Sequence, residues 1–135
     1  MGRSRGSLAV VATCVLALGA AGVAEASRAA TLAVKVPASA SVHFNKLYVI
    51  TLSGFAGAYD RVMVLNLSPA PTRCPPAQTV LRILHPGRAN VKPGHTFSRS
   101  FGFRGPPPQE LTTCAYLYRS SNEVGIVVTK DWMAG

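Results

Sequence analysis

Acidic residues are scarce in this chain, and their scarcity limits the chemistry it can perform. Five of its 135 residues are Asp or Glu, fourteen are Lys or Arg, and the formal net charge is +9. Hydrolysis by paired carboxylates needs two acidic side chains close together. Asp60, Glu110, Glu123 and Asp131 all fall at predicted strand ends or in turns, which disfavours that mechanism.

Motifs for nucleophilic and metal chemistry are lacking as well. The chain has no predicted strand-to-helix turn with the G-x-S-x-G elbow motif, and it has no C-x-x-C pair. Its histidines are His43, His85 and His95, and none stands four residues from another, as a metal-binding pair on one helix does. We therefore expect isolated loop histidines, no metal, no cofactor and no enzymatic activity.

The amino-terminal end has the pattern of a secretory signal peptide over residues 1–26. Two arginines precede an uncharged, mostly apolar run over residues 8–24, and Ala24-Glu25-Ala26 matches a signal-peptidase site. Cleavage there would leave a mature domain of residues 27–135, secreted or associated with the cell envelope, without a transmembrane segment. Two alternatives stay open: an uncleaved membrane anchor, and a lipoprotein modified at Cys14.

Two cysteines remain after that cleavage, and export determines their state. Cys74 and Cys114 would enter an oxidising compartment, where two thiols in one small domain usually pair. A bridge that closes 40 residues of chain (114 − 74) removes roughly 4 kcal/mol of loop entropy from the unfolded state. We therefore predict a disulfide that stabilises a domain with a small core.

Short apolar stretches separated by turn residues predict an all-β domain. The stretches are rich in β-branched or aromatic residues, and most alternate between apolar and polar positions, as strands of antiparallel sheets do. Six strands are expected, over residues 31–36, 46–54, 61–68, 95–103, 111–119 and 123–130. Short strands at this spacing favour a sandwich of two antiparallel sheets.

Three segments carry more specific expectations. Residues 46–54 are apolar at nearly every position, which predicts a central strand covered on both faces or nearly so. Residues 75–85 fit a short helix, with prolines in its first turn, better than a strand, although both interpretations stay open. Residues 85–94 are expected to form a loop that ends in a type II turn at Pro93 and Gly94.

The order of these parts resembles the small immunoglobulin-like β-sandwich domains that bacteria export. The matching pieces are LAVKVP near the mature start, YVITLSG in the core, a cysteine bracketed by prolines, VKPGHTFSRSFGF, and CAYLY followed by GIVV. The composition, with Arg favoured over Lys and much Ala and Pro, is similar to that of actinobacterial sequences. The resemblance implies an immunoglobulin-like sandwich over residues 27–135 with one short helical insertion.

Two departures from antibody domains change what the resemblance implies. The only tryptophan, Trp132, lies near the carboxyl end instead of on the third strand, and Thr112 stands where a tyrosine corner would be. The predicted bridge is therefore expected to tie a connecting segment to a sheet, and no antibody-like binding mode follows.

Basic residues fill the acid-free stretch between Asp60 and Glu110. We predict an anion-binding surface formed by Arg73, Arg82, Arg88, Lys92, Arg99 and Arg104. Such a surface could hold an exported domain on an anionic polymer of the cell envelope or on lipid head groups. A surface protein is the other expected kind of partner, and nucleic acid is disfavoured because no nucleic-acid-binding motif is present. The alternative functions are a carrier for an apolar small molecule, whose cleft aromatic residues would line, and a hydrolase of unrecognised type.

Overall fold

The computed structural model describes residues 28–123 and 125–135. The predicted signal peptide of residues 1–26, including Cys14, lies outside them. In the described part of the chain, no helix has the length and apolar character needed to cross a membrane.

Seven strands of the described chain form two antiparallel sheets, as the all-β prediction requires. Sheet A contains β1 (Thr31–Lys35), β2 (Leu47–Phe55) and β5 (Thr96–Arg104), in that order. Sheet B contains β4 (Gly87–Asn90), β3 (Arg61–Leu67), β6 (Gln109–Tyr118) and β7 (Gly125–Ala134), in that order. The connections include a 3-10 turn at Ser39–Ser41 and one helix, α1 (Ala77–Ile83).

The two sheets pack face to face because each presents alternating apolar side chains inward. Ile50 of β2 and Val62 of β3 are fully buried in this core. The phenylalanines of β5 point into the same core: Phe97 is buried, and Phe101 and Phe103 are partly buried.

A second, smaller core lies on the outer face of sheet B, under the segment that follows β3. Helix α1 places Ala77 and Val80 in one apolar cluster with Met63 and Tyr116 of the sheet. The helix interpretation of residues 75–85 is therefore confirmed. The cluster also explains why β3 is apolar on both faces, since one face contacts sheet A and the other contacts the helix.

The disulfide fastens this covering segment to sheet B. Cys74 of the segment is bonded to Cys114 of β6, with their Cα atoms 5.7 Å apart, so the predicted pairing is confirmed. The Tyr116 hydroxyl donates a hydrogen bond to the carbonyl oxygen of Pro75 over 2.6 Å. Burial raises the pKa of Tyr116 to about 12, so this hydroxyl keeps its proton at neutral pH.

A chain of hydrogen bonds, here called the interior network, crosses the space between the two sheets. Asn66 Nδ2 donates to the Tyr48 hydroxyl (2.8 Å), Thr113 Oγ1 donates to Asn66 Oδ1 (2.6 Å), and Trp132 Nε1 donates to Thr113 Oγ1 (2.7 Å). The rings of Tyr48 and Trp132 also meet edge to face, with centroids 5.8 Å apart. Burial raises the pKa of Tyr48. The network links β2 of sheet A to β3, β6 and β7 of sheet B.

Two predictions about the strands of sheet B are wrong. One strand was not predicted, and another continues further than predicted. Residues 85–94 contain strand β4, which pairs with β3, in place of a continuous loop. Its sequence, GRAN, has no β-branched or aromatic residue, so only its partner strand identifies it. The last strand continues to Ala134 because β6 offers partners along its whole length. The type II turn is confirmed, with Gly94 at a φ of 79° and His95 N donating to Lys92 O over 3.1 Å.

The prediction that residues 46–54 are covered on both faces is also wrong. Strand β2 is the central strand of sheet A, but only one of its faces contacts sheet B. Leu47 and Val49 on the other face are exposed to solvent.

Candidate functional site

Charge divides unevenly between the two halves of the sandwich. The acidic residues of the described chain all belong to sheet B and its turns: Asp60, Glu110, Glu123 and Asp131. Sheet A with its adjoining segments, residues 28–59 and 91–108, carries six basic residues and no acid. The sheet B half carries six basic and four acidic residues, so its net charge is +2 against +6 for the sheet A half.

The outward face of sheet A is flat, because its central side chains are small. Ala33, Ser98, Ser100 and Gly102 are exposed there, so no bulky side chain projects from the middle of the face. Thr51 of β2 stands opposite Ser100 of β5, and their hydroxyl groups are hydrogen-bonded over 3.1 Å. Together with its surrounding Lys and Arg residues, this surface is here called the acid-free face.

One end of the acid-free face carries a cluster of exposed apolar side chains. Phe44, Leu47 and Val49 are 66%, 72% and 52% exposed, respectively. Leu47 and Val49 share the outward face of β2, since the intervening Tyr48 is buried. We call these three residues the apolar tip. Exposed apolar groups of this size on a small domain often mark an interaction surface.

The backbone of the apolar tip is held by hydrogen bonds to the end of β5. Asn45 N donates to Gly105 O (2.9 Å), and Gly105 N donates to Lys46 O (2.8 Å). Arg104 Nη1 donates to Asn45 O over 3.1 Å. Asn45 adopts a left-handed φ of 59°, a conformation that asparagine tolerates better than most residues. Phe44 is therefore held in an exposed position by a defined backbone.

Gly105 leaves no room for a side chain beside the tip, so Gly105→Ala is expected to destabilise the domain. A Cβ atom on Gly105 would lie 2.1 Å from the carbonyl oxygen of His43, so the segment of Gly105 or the segment of His43 would have to move. We expect a loss of about 2 kcal/mol in the free energy of unfolding, measured by urea denaturation.

The matched control is the same substitution three residues earlier in the chain. A Cβ atom on Gly102 would meet only the Leu47 side chain, at 3.8 Å, which is an ordinary contact. Gly102→Ala should therefore change the free energy of unfolding by no more than about 0.5 kcal/mol. Equal effects of the two substitutions would show that the contact between Gly105 and His43 is not tight in solution.

No family model, curated protein or solved structure matches this chain. Its function is therefore inferred from the sequence and from the chemistry of the described residues.

Most of the basic residues predicted to form one anion-binding surface lie apart from the acid-free face or at its margins. Arg73 lies in the segment before α1, Arg82 in the last turn of α1, and Arg88 on β4, all in the sheet B half. Lys92 lies in the turn between β4 and β5. The predicted set is thus divided between two halves of the molecule, and only part of it can contact one flat partner.

The remaining two predicted residues make hydrogen bonds to the backbone. Arg99 donates to the carbonyl oxygens of Asn90 (3.1 Å) and Ser98 (3.0 Å), and so holds β4 beside β5 at the side of the sandwich. Arg104 stands opposite Leu47 on the acid-free face. It is the member of the predicted set that lies beside the apolar tip.

Sequence reasoning missed Lys35, Lys46 and the apolar tip as members of the site. Residues 28–59 contain no acidic residue. This absence is as clear a signal as the acid-free stretch between Asp60 and Glu110, on which the predicted anion-binding surface depends. The apolar residues at outward positions of β2 are a second signal, but their pattern predicts that another layer covers this face.

The histidines do not form a catalytic or metal-binding group in the described chain. His43, His85 and His95 are all exposed and lie in three different connecting segments. Among residues 28–123 and 125–135, no three His, Cys, Asp or Glu side chains are placed to hold a metal ion.

Two clefts of the described residues are smaller than a typical small-molecule site. A cleft of about 250 Å³ beside β3 is lined mostly by apolar residues, among them Leu65 and Phe103, and one of about 260 Å³ beside α1 is lined by Tyr116 and Tyr118 together with Ile126. Small-molecule sites usually measure about 300–1,000 Å³ and are mostly apolar. The third cleft, of about 510 Å³, has no aromatic lining residue.

Proposed function

We propose that this protein is an exported immunoglobulin-like interaction domain that binds multivalent anionic groups of the cell envelope through its acid-free face. The observation that carries the proposal is the distribution of charge: six basic and no acidic residues in the sheet A half. Anionic groups approaching this half meet no repulsive carboxylate, whereas four carboxylates lie in the other half.

The strand order supports the immunoglobulin-like assignment. If β1 to β7 correspond to strands A, B, C, C′, E, F and G, sheet A has the order A-B-E and sheet B the order C′-C-F-G. Immunoglobulin-type sandwiches divide their strands in this way. The domain would then extend over residues 27–135, with α1 inserted between strands C and C′.

The disulfide supports export. A bridge such as Cys74–Cys114 persists in oxidising compartments and is rare in the cytosol. It agrees with the signal-peptide pattern at the amino-terminal end, from which we infer a secreted or envelope-associated location.

The binding we propose is electrostatic and depends on salt. Exposed charges are screened beyond about 8 Å at physiological ionic strength, so only anionic groups that approach the face closely are held firmly. A flat surface of hydroxyl and small side chains permits this approach, and its Ser and Thr hydroxyls can hydrogen-bond phosphate or carboxylate oxygens.

Reversing two charges of the acid-free face is expected to weaken binding to a polyanion. The variant Lys35→Glu/Lys46→Glu should bind immobilised dextran sulfate and isolated envelope fractions at least roughly tenfold more weakly than the natural protein at low salt. The dependence of affinity on salt should also become shallower, since fewer counterions are released. The measurement is a binding isotherm at several salt concentrations.

The matched control changes the net charge equally in the other half of the molecule. Arg73→Glu/Arg82→Glu replaces two exposed arginines of the sheet B half and should alter binding far less. If both variants lose affinity to the same extent, net charge and not the acid-free face determines binding. If the natural protein binds neither material at low salt, the proposed function is wrong.

A further inference from the structure

We propose that the anionic partner of the acid-free face is a lipid bilayer, and that the apolar tip enters its interfacial region. This inference rests on the proposed function and names the partner of the same surface.

Leu47 and Val49 lie on the same face of β2, and the exposed Phe44 stands three residues before Leu47 in the chain. Leu47 stands opposite Arg104 and Val49 stands opposite Gly102 in the pairing of β2 with β5. Because Gly102 has no side chain, Val49 and the near side of Leu47 have no neighbour to cover them across the strand pair. Phe44, in the segment before β2, is joined to Gly105 by an isolated bridge, and its side chain is 66% exposed.

A bilayer accounts for the exposure of this tip better than a soluble polymer does. Apolar side chains gain free energy when a partner that offers apolar surface removes them from water, and the acyl region of a bilayer offers such surface. A soluble polyanion would satisfy the basic residues and leave Phe44, Leu47 and Val49 in water. Aromatic and aliphatic side chains on a fixed backbone are suited to the boundary between headgroups and acyl chains.

The charges next to the tip complement anionic headgroups. Lys46 immediately precedes Leu47, and Arg104 faces Leu47 across the strand pair. Both are exposed, and no acidic residue occurs in the segments that contain them. A small apolar surface beside cationic side chains is the arrangement that binds proteins to anionic membrane surfaces.

Four other large apolar side chains of the described residues are exposed, Ile83 and Leu84 at the end of α1 and Val127 and Met133 on β7, and those of β7 lack this complementarity. Val127 and Met133 of β7 are 46% and 44% exposed, but they lie in the half of the sandwich that holds the acids. Met133 stands opposite Glu110 and follows Asp131 in the chain. Carboxylates at these positions would repel an anionic headgroup layer, so charge selects the tip and not β7 as the membrane contact.

The test is binding of the mature domain to vesicles of stated composition. The natural protein should sediment with vesicles of phosphatidylglycerol and phosphatidylcholine and should leave them as salt is raised, whereas vesicles of phosphatidylcholine alone should bind it weakly. Leu47→Ser/Val49→Ser should reduce binding to the anionic vesicles roughly tenfold or more. The same variant should bind dextran sulfate as the natural protein does, because its charge is unchanged.

The control replaces two exposed apolar residues outside the tip. Val127→Ser/Met133→Ser should bind anionic vesicles as the natural protein does. A second measurement places a reporter in the tip: the tryptophan in Phe44→Trp should be quenched by brominated acyl chains only when the vesicles are anionic.

Each remaining result contradicts the inference in a distinct way. Binding to dextran sulfate without binding to vesicles would make a polymer the partner, and the proposed function would stand. Binding to neither dextran sulfate nor vesicles would refute both the proposed function and the bilayer inference. Vesicle binding that is lost in Val127→Ser/Met133→Ser and kept in Leu47→Ser/Val49→Ser would place the membrane contact on β7.

Discussion

Removing the bridge between Cys74 and Cys114 is expected to lower the free energy of unfolding by about 4 kcal/mol. For a domain of this size, that loss corresponds to a fall in the midpoint of thermal unfolding on the order of 15–20 °C. Since small domains are stable by only about 5–15 kcal/mol in total, a substantial fraction of the unbridged protein would be at risk of unfolding at growth temperature.

The physical reason has a global and a local part. The bridge closes 40 residues of chain and so limits the unfolded ensemble. It also holds the segment that carries α1 against sheet B, where apolar contacts and the hydrogen bonds from Tyr116 to Pro75, from Thr72 N to Thr112 Oγ1 and from Ala70 N to Glu110 O assist it. We therefore expect the loss of the bridge to expose the outer face of sheet B before the core between the sheets opens.

Urea denaturation of the natural protein with and without reductant measures this effect. The double variant Cys74→Ala/Cys114→Ala provides the control, because its unfolding should resemble that of the reduced protein and should not respond to reductant. A midpoint that is the same for oxidised and reduced natural protein would mean that the remaining contacts hold the segment without the bridge.

Much of this fold could be predicted because the alternation of apolar and polar residues along a strand reflects which of its two faces is buried. The inward phenylalanines of β5 and the two apolar faces of β3 follow from their sequences in this way. The disulfide could be predicted because the exported chain has two cysteines, so each has only the other as a partner. Strand β4 could not be predicted, because its four residues are ordered by pairing with β3 and not by their own preference.

The candidate site could be predicted only in part, since a sequence does not say which layer covers a strand. Leu47 and Val49 have the residue types of a buried face, and no local property distinguishes them from Ile50 or Leu52. Their exposure becomes visible only when no segment among residues 28–123 and 125–135 is found to cover them. Likewise, Arg73 and Arg104 are 31 positions apart in one basic stretch (104 − 73), yet the chain places them in opposite halves of the sandwich.

The interior network was beyond sequence reasoning altogether, and its disruption has the second largest expected effect. Thr113→Val removes the hydroxyl that donates to Asn66 and accepts from Trp132, while it keeps the shape of the side chain. Asn66 Oδ1 and Trp132 Nε1 would then lose these partners in a partly buried position. Unsatisfied buried polar groups cost about 1–3 kcal/mol each, so we expect a loss of about 3 kcal/mol in the free energy of unfolding.

A Thr-to-Val substitution at an exposed position separates the loss of the buried hydrogen bonds from the general effect of replacing Thr by Val. Thr51→Val removes the hydroxyl that meets Ser100 on the acid-free face, where water can replace it, and should change stability by no more than about 0.5 kcal/mol. A double-mutant cycle with Tyr48→Phe tests whether the bonds act together. Both substitutions affect Asn66, so their effects should not add.

These outcomes distinguish a network that joins the sheets from a set of separate bonds. Non-additive losses would mean that β2 of sheet A is coupled through Asn66 to β6 and β7 of sheet B, so that the face carrying the tip is held in register with the bridged half. Strictly additive losses, or a Thr113→Val effect no larger than that of Thr51→Val, would mean that water reaches the hydroxyl groups and that apolar packing alone joins the sheets.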